Sequence, residues 1–281
     1  MGLLTSQKLI NLYERYKAIN VTYTKEIIQV TGLITQQVFL KCVSDFWPCV
    51  IYSSSFTEAK VVVNTKSGLL IKLQQANNMT SLRFCFKSSD TGAPVPFFIS
   101  AKCMGYSPYG DSKDMAIFNL QFTQRPPDDL IEIMGRMLDA NINSAKRKDE
   151  RIAITADSMR RLHINSKDTA VFIQQVPRRC ILRDLSFSGA KIIMMGVSKF
   201  LVDKDVSLRI DFDDPREAFL IPGKFIRAED VEGRKELIAL GIVFTEKKIP
   251  MGFKMRINDY LGQVRVDTRT DQNTEKNARA E

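Results

Sequence analysis

The sequence has almost no histidine and lacks the motifs on which common enzyme sites are built. Its 281 residues contain one histidine, His163, which excludes a two-histidine metal site and leaves little room for a Ser-His or Cys-His pair. We find no phosphate loop of the GxxxxGK[ST] type, no nucleophile elbow and no paired catalytic acids. The acidic run DFDD at 211–214 precedes Pro215 and is interpreted as a turn. The sequence therefore predicts a protein that is not an enzyme and holds no metal.

Paired cysteine motifs and long apolar runs are also missing. The five cysteines form an odd set without a CxxC pair, so we interpret them as reduced core residues of a cytoplasmic protein. No apolar run reaches the roughly 18 to 20 residues that a membrane-spanning helix needs. The N-terminus does not resemble an export signal. The sequence predicts a cytoplasmic protein with no membrane span.

The excess of positive charge lies mainly in the second half of the chain. The net charge is +9, with 14 basic against 11 acidic side chains in residues 1–140 and 27 against 21 in residues 141–281. A basic protein favours anionic partners such as nucleotides, nucleic acid or anionic lipid. We expect an anion to bind in the second half.

Residues 21–123 consist of short runs rich in Val, Ile, Phe, Thr and Tyr, separated by Gly, Pro, Asn, Ser and Asp. This pattern predicts the strands of an antiparallel barrel or sandwich. Helical spacing of apolar residues predicts a short amphipathic helix over residues 5–18, and another helix follows Pro126 and Pro127. The runs interpreted as strands are EIIQV, QVFLKCV, CVIYSS, AKVVVNT, GLLIKL, SLRFCFK, PFFISAKCM and AIFNLQF.

The same plan is repeated after residues 141–151, NINSAKRKDER, whose composition predicts an exposed connection. Strand-like runs follow, and Phe244-Thr245 with a proline and a helix echoes Phe122-Thr123. We predict a mainly β protein with flanking helices, made of two antiparallel β-barrels that are each followed by an α-helix. The domains are residues 1–140 and 141–266, and a polar tail over residues 267–281 is predicted to be disordered. The second series of runs is RIAIT, TAVFIQQV, RCILRDLSF, AKIIMMG, VSLRIDF, AFLIPGKFIRAED and ELIALGIVF.

Arg147 and Arg151 stand in the connection KRKDER, just before the second barrel begins. A guanidinium group matches two phosphate oxygens, or the O6/N7 edge of guanine, in a two-pronged geometry. Two arginines at one pocket can therefore address both the charge and the base of a nucleotide. The alternative interpretation is a solvated charge run.

The second motif is RDLSFSGA, between the runs CILR and AKIIMMG. Asp184 and Ser186 are two residues apart, so they can point to one face of a strand. Asp184 could accept hydrogen bonds from guanine N1 and N2, Ser186 could bond a phosphate or an arginine, and Gly189 could allow a tight turn. The alternative is an ordinary Asx or Ser turn in a hairpin.

Taken together, these segments resemble the RxxxR and [DN]xSxxG signature of the PilZ family of cyclic di-GMP receptors, over roughly residues 143–265. LGIVF at 240–244 also resembles the late strand of PilZ barrels. The order of the domains, with the signature in the second alone, is most similar to two-domain PilZ proteins of spirochaetes. One departure is the long spacing from Arg151 to Asp184, interpreted as an insertion around DSMRRLHINSKD. The resemblance implies a ligand set of Arg147, Arg151, Asp184, Ser186 and Gly189, with Lys146, Cys180 and Arg183 as further contacts.

The resemblance also implies a function. A non-enzymatic receptor would couple cyclic di-GMP binding to a rearrangement of its two domains and to regulation of a protein partner, with motility and virulence as typical outputs. One alternative is a nucleic-acid-binding protein that uses a basic β-barrel surface. Another is a motor-associated adaptor whose first domain docks on a protein partner, as in flagellar motility.

Overall fold

The computed structural model describes residues 5–88 and 91–278, without the side chains of Lys235 and of residues 268–278. The chain divides into two compact units, residues 1–139 and residues 140–281. Each unit is built on one eight-stranded antiparallel sheet. Among the described residues, no helix is both long and apolar enough to cross a membrane.

The first unit begins with an amphipathic helix and ends in a longer one. Leu9 and Tyr16 of the first helix are buried, and so are Leu130, Ile131 and Met134 of the last helix. Their helical spacing explains why each helix packs one face against the sheet. The elements are α1 (Ser6–Tyr16), β1 (Val21–Thr22), α2 (Lys25–Thr31), β2 (Phe39–Cys42), β3 (Asp45–Pro48), β4 (Val50–Ser54), β5 (Glu58–Asn64), α3 (Leu69–Gln75), β6 (Met79–Lys87), β7 (Pro94–Pro108), β8 (Met115–Phe122) and α4 (Asp128–Lys146).

The second unit has a core of alternating strand residues closed by the C-terminal helix. Phe253, Ile257 and Leu261 lie one turn apart on that helix and are buried against the sheet. The elements are β9 (Ile152–Ala153), α5 (Ala156–Leu162), β10 (Ile164–Ile173), β11 (Val176–Arg179), β12 (Ile181–Leu185), β13 (Gly189–Met195), β14 (Asp205–Phe212), β15 (Glu217–Val231), β16 (Arg234–Phe244) and α6 (Met251–Ala278).

The two sheets have the same strand order. The order is β1-β4-β5-β8-β7-β6-β2-β3 in the first and, read from its first strand, β9-β12-β13-β16-β15-β14-β10-β11 in the second. The last strands also end alike, since Thr123 N donates to Ser100 O at 2.9 Å and Thr245 N donates to Pro222 O at 2.8 Å. The prediction of one repeated, mainly β architecture with a helix after each sheet is confirmed.

Neither sheet closes into a hydrogen-bonded ring within the described residues, which differs from the predicted barrels. β1 and β3 are the edge strands of the first sheet, and β9 and β11 are those of the second. Pro48 in β3 and Pro177 in β11 lack an amide hydrogen, so these edge strands offer one donor fewer to a further strand.

Two runs predicted as strands are helices. EIIQV lies in α2, where the Thr24 side chain accepts a hydrogen bond from Ile27 N and Gly32 ends the helix at φ 70°. GLLIKL lies in α3, which buries Leu69 and Leu73 one turn apart. These predictions were wrong because apolar runs of this length are ambiguous by periodicity, and the caps decide between the two structures.

The stretch interpreted as an insertion is helix α5, which has a counterpart in the first unit. Thr155 caps α5, and His163 ends it at φ 57°. Helix α2 follows β1 with the same arrangement of Thr24 and Gly32. The spacing between the two motifs therefore includes an element common to both units.

The C-terminal boundaries also differ from the predicted ones. α4 extends to Lys146, so it includes part of the predicted exposed connection. α6 extends to Ala278, through most of the segment predicted as a disordered tail, and residues 279–281 lie outside the described residues. Lys, Arg, Glu, Gln and Ala are good helix formers, so a lack of apolar residues argues against packing and not against a helix.

Candidate functional site

Arg147 is the first residue after helix α4. Its amide N donates to Asn143 O at 2.8 Å, and its carbonyl accepts a hydrogen bond from Glu150 N at 3.1 Å, so the chain bends here. The side chain of Arg147 is half-buried. Within the described part of the chain, its guanidinium forms no hydrogen bond or ion pair. This leaves a fixed positive charge available to an anion.

Arg151 and Asp184, which the sequence placed in separate motifs, are in contact. Strand β9 pairs with β12 so that Ala153 lies opposite Asp184 and Ile152 opposite Leu185. This register brings Arg151 Nη1 to Asp184 Oδ1, where the two groups form an ion pair. The side chains of Arg151 and Asp184 are 47% and 22% exposed. The pair is thus open to solvent on the arginine side, where a ligand could reach it.

The turn from Ser186 to Gly189 is held by its own hydrogen bonds. Ser186 N donates to Gly189 O at 2.8 Å, and Gly189 N donates to Ser186 Oγ at 3.1 Å. Ser186 Oγ lies 3.2 Å from Gly189 O and is completely buried. The structure therefore places the Ser186 hydroxyl inside the turn, where it fixes the path of the chain after Asp184.

Gly189 is required by a close approach of two strands. A Cβ atom at this position would lie 2.3 Å from the carbonyl oxygen of Ile242 in β16. No side chain fits at that distance without moving the backbone. The glycine thus allows β13 to pack against β16 at the end that carries the turn.

Ser188, which the sequence patterns did not single out, attaches the arginine-bearing connection to this turn. Its hydroxyl donates to Lys148 O at 2.7 Å, and its amide N donates to the same carbonyl at 3.2 Å. The sequence could have indicated this contact only through the hydroxyl of Ser188, which occupies an x position of the [DN]xSxxG pattern. Both arginine positions are consequently held close to the turn by the backbone between them.

A second unpredicted contact links the connection to the C-terminal helix. Arg265 Nη2 lies 2.8 and 2.5 Å from the two carboxylate oxygens of Glu150. The two residues are 115 positions apart in sequence, so no local pattern indicates their contact. The Glu150 carboxylate is thereby held towards α6, so it does not compete for the guanidinium of Arg151.

The three further contacts implied by the resemblance lie in different environments. Lys146 is exposed at the end of α4, and Arg183 is exposed at a register shift between Leu182 and Asp184. Cys180 is buried in the hydrophobic core, and burial raises the pKa of its thiol to about 12. Lys146 and Arg183 are thus accessible to a ligand, whereas Cys180 packs in the core behind the strand.

The first unit contains the same turn with different side chains. In the first unit, Ser53 of β4 lies opposite Lys60 of β5. In the second unit, Asp184 of β12 lies opposite Lys191 of β13 in the same way, so Ser53 is the counterpart of Asp184. The segment SSSFTE therefore occupies the place of DLSFSG. Glu58 N donates to Ser55 Oγ at 3.2 Å, which repeats the bond from Gly189 to Ser186.

The equivalent positions in the first unit do not favour an anion. Asn20 precedes β1 as Arg151 precedes β9, and its side-chain amide donates to Glu58 Oε1 at 2.9 Å. Tyr16 lies four residues before Asn20, as Arg147 lies four residues before Arg151. The Tyr16 hydroxyl donates to Asp139 Oδ1 at 2.6 Å, and burial raises the pKa of this hydroxyl. A carboxylate replaces the glycine and neutral side chains replace the arginines, so the turn is kept and the charge is lost.

No group of three or more His, Cys, Asp and Glu side chains is placed to hold a metal ion in residues 5–88 and 91–278.

Comparison with known proteins identifies the family. Residues 7–141 match the PilZN3 domain, and residues 145–263 match the PilZ domain. The chain is 44% identical over 266 residues to a protein of Treponema denticola named cyclic di-GMP binding protein, covering 94% of this chain and 85% of the relative. The chain belongs to the PilZ family. The prediction of a two-domain protein of the spirochaetal type is confirmed.

Two solved structures are also similar. Borreliella burgdorferi PlzA in complex with c-di-GMP shares 26% identity, covering 92% of this chain and 99% of that chain, with a TM-score of 0.41. K. pneumonia MrkH in complex with c-di-GMP shares 13% identity, covering 95% and 97%, with a TM-score of 0.32.

We predict opposite effects for the same substitution at two glycines. Gly189→Ala should destabilise the second unit by about 1 to 3 kcal/mol, because the new methyl group meets Ile242 O. Gly262→Ala, on an exposed stretch of α6 with nothing within 4 Å, should stabilise it by about 0.5 to 1 kcal/mol. Denaturant unfolding of both variants measures the difference, and equal stabilities would contradict the packing at Gly189.

Proposed function

We propose that the chain is a receptor for cyclic di-GMP and that its second unit binds the ligand. The observation that carries this proposal is the guanidinium of Arg147, which is unpaired within the described residues and lies on the connection that Ser188 holds against the turn. The name of the Treponema denticola relative supports the choice of ligand.

The site chemistry fits a ligand with two phosphates and two guanine bases. Arg147 and Arg151 would contact phosphate oxygens or the O6/N7 edge of guanine. Asp184 would exchange its ion pair with Arg151 for hydrogen bonds from guanine N1 and N2. Ser186 and Gly189 would form the turn against which the ligand lies, and Lys146 and Arg183 would supply outer contacts, while Cys180 supports the strand from the core.

We further propose that the protein acts in the cytoplasm and carries out no catalysis. Its relative is named for binding and not for a reaction. The five free cysteines, all buried, are consistent with a reducing compartment.

Binding would also change the relation between the two domains. Arg147 follows directly on α4, the helix that comes after the first sheet, so a ligand that binds Arg147 acts on the segment that joins the two domains. A protein partner would then recognise the new arrangement. Motility and virulence are the outputs we propose for this signal.

Nucleic-acid binding by the first unit is the second candidate function. On the outer face of its sheet, the Arg83 guanidinium carbon lies 5.7 Å from the ring of Phe39 and 5.8 Å from that of Phe98. Lys41 Nζ lies 5.6 Å from the ring of Phe46. Alternating aromatic and basic groups on a sheet face are typical of single-strand binding surfaces.

Calorimetric titration with cyclic di-GMP tests the primary proposal. Wild type should bind cyclic di-GMP in preference to GTP and cyclic di-AMP. Arg147→Ala should weaken binding roughly 10- to 150-fold, because it removes a charge-assisted contact of about 1.5 to 3 kcal/mol. The matched control is Arg160→Ala, which removes an exposed guanidinium paired with Asp157 and should leave affinity unchanged. No heat from folded protein free of co-purified ligand would contradict the receptor function.

Small-angle scattering with and without cyclic di-GMP tests the domain rearrangement. We expect the scattering curve of the wild type to change at saturation, and the curve of Arg147→Ala to stay the same at that concentration. Identical wild-type curves at saturation would exclude the rearrangement and leave binding itself intact.

The salt dependence of oligonucleotide binding tests the second candidate. Binding through the basic face should weaken steeply with added salt and should tolerate many sequences. Phe98→Ala, at a position that is 46% exposed, should lower affinity by about 1 to 3 kcal/mol if a base stacks there. Unchanged affinity of this variant would exclude the face as a nucleic-acid surface.

A further inference from the structure

One end of the first sheet is filled by side chains of the first unit itself. Trp47 in β3 lies opposite Leu40 and is buried, with its indole N donating to Ser67 O at 2.9 Å. Helix α3, in the connection from β5 to β6, buries Leu69 and Leu73 one turn apart. In the first unit, therefore, a tryptophan and an apolar helix face cover this end.

The corresponding end of the second sheet is open. Arg178 of β11 lies opposite Val171 of β10, so it occupies the position that Trp47, opposite Leu40, has in the first unit. Trp47 is buried, whereas Arg178 is exposed. The connection from β13 to β14 is shorter than that from β5 to β6 and contains a single 3-10 turn where α3 stands in the first unit. A cavity of about 250 Å³ remains here. We call this cavity and its rim the open end.

The lining of the open end is mostly apolar and largely exposed. Met195 is 68% exposed and Phe200 is 69% exposed, and Val176 and Val197 are also more than half exposed. Met194 is buried in the wall. A cluster of exposed apolar side chains around a cavity is typical of a protein interaction site. Methionines adapt to the shape of an inserted side chain.

Two basic side chains stand at the open end. Arg178 lines the cavity, and Lys199 lies next to Phe200. Both side chains are exposed, and neither forms an ion pair or a side-chain hydrogen bond within the described residues. No lining residue carries a carboxylate. Charge complementarity therefore favours an acidic partner.

The partner cannot easily add a strand at this edge. Gln174 and Gln175 form a two-residue turn with positive φ, so Ile173 and Val176 are a hydrogen-bonded pair. The next residue, Pro177, then faces the free edge, where it offers no amide hydrogen. A helix, whose backbone hydrogen bonds are internal, does not need that edge.

We propose that the open end binds an acidic amphipathic helix of a protein partner. The helix would insert two apolar side chains one turn apart, as Leu69 and Leu73 of α3 do in the first unit, and place its carboxylates against Arg178 and Lys199. This docking is independent of the proposed cyclic di-GMP site, because none of the lining residues belongs to that site.

Selection from a displayed library of random peptides about 15 residues long, enough for a short helix, tests this inference on the full chain without nucleotide. Enriched peptides should carry large apolar residues at i and i+4 together with Asp and Glu. Met195→Asp and Arg178→Glu should each weaken binding of an enriched peptide roughly 10- to 100-fold. The controls Leu220→Asp and Lys167→Glu make the same changes at exposed positions outside the cavity and should alter affinity by less than about twofold.

Three outcomes would overturn the inference. The first is a selection that enriches no peptide, or only peptides without acidic residues. The second is an enriched peptide that binds Met195→Asp and Arg178→Glu as tightly as wild type. The third is binding of the wild type to phosphatidylserine vesicles that is lost in these two variants while peptide binding is retained, which would assign the surface to a membrane. All four substituted positions are exposed, so the variants should remain folded, and their unfolding curves verify this.

Discussion

The two hydrogen bonds from Ser188 to the carbonyl of Lys148 hold the arginine-bearing connection against the turn between β12 and β13. The turn itself depends on Gly189, which lets β13 approach Ile242. Arg151 then reaches Asp184, and Arg147 is fixed at the end of α4 with its guanidinium unpaired among the described residues. Positive charge is therefore positioned before any ligand arrives, which reduces the ordering that binding requires.

The two units show how one sheet topology can lose or acquire a site by a few side-chain changes. Both keep the turn and its hydroxyl-to-backbone bonds, but Asn20 and Glu58 bond to each other where the second unit has Arg151 and Gly189. At the other end, the first unit fills its interior with Trp47 and α3, and the second leaves a cavity beside Arg178. The two units therefore differ at both ends of the same sheet topology.

The repeated strands and both motifs could be predicted, because alternating β-branched runs and charged turns are local signals. Short apolar runs fit both a helix and a strand, so α2 and α3 were predicted as strands. Caps such as Thr24 favour the helix instead. The Ser186 hydroxyl points into the turn, where it bonds to Gly189, and no sequence pattern indicates this position. The Glu150–Arg265 pair joins residues too distant in sequence to be predicted.

A crystal structure of the full chain grown with cyclic di-GMP tests the central claim most directly. The account predicts ligand density on the second unit, with phosphate or guanine atoms within hydrogen-bond distance of both Arg147 and Arg151 and with Asp184 facing a guanine edge. Ligand bound at the turn of the first unit, or in the cavity beside Arg178, with both arginines unengaged, would contradict it.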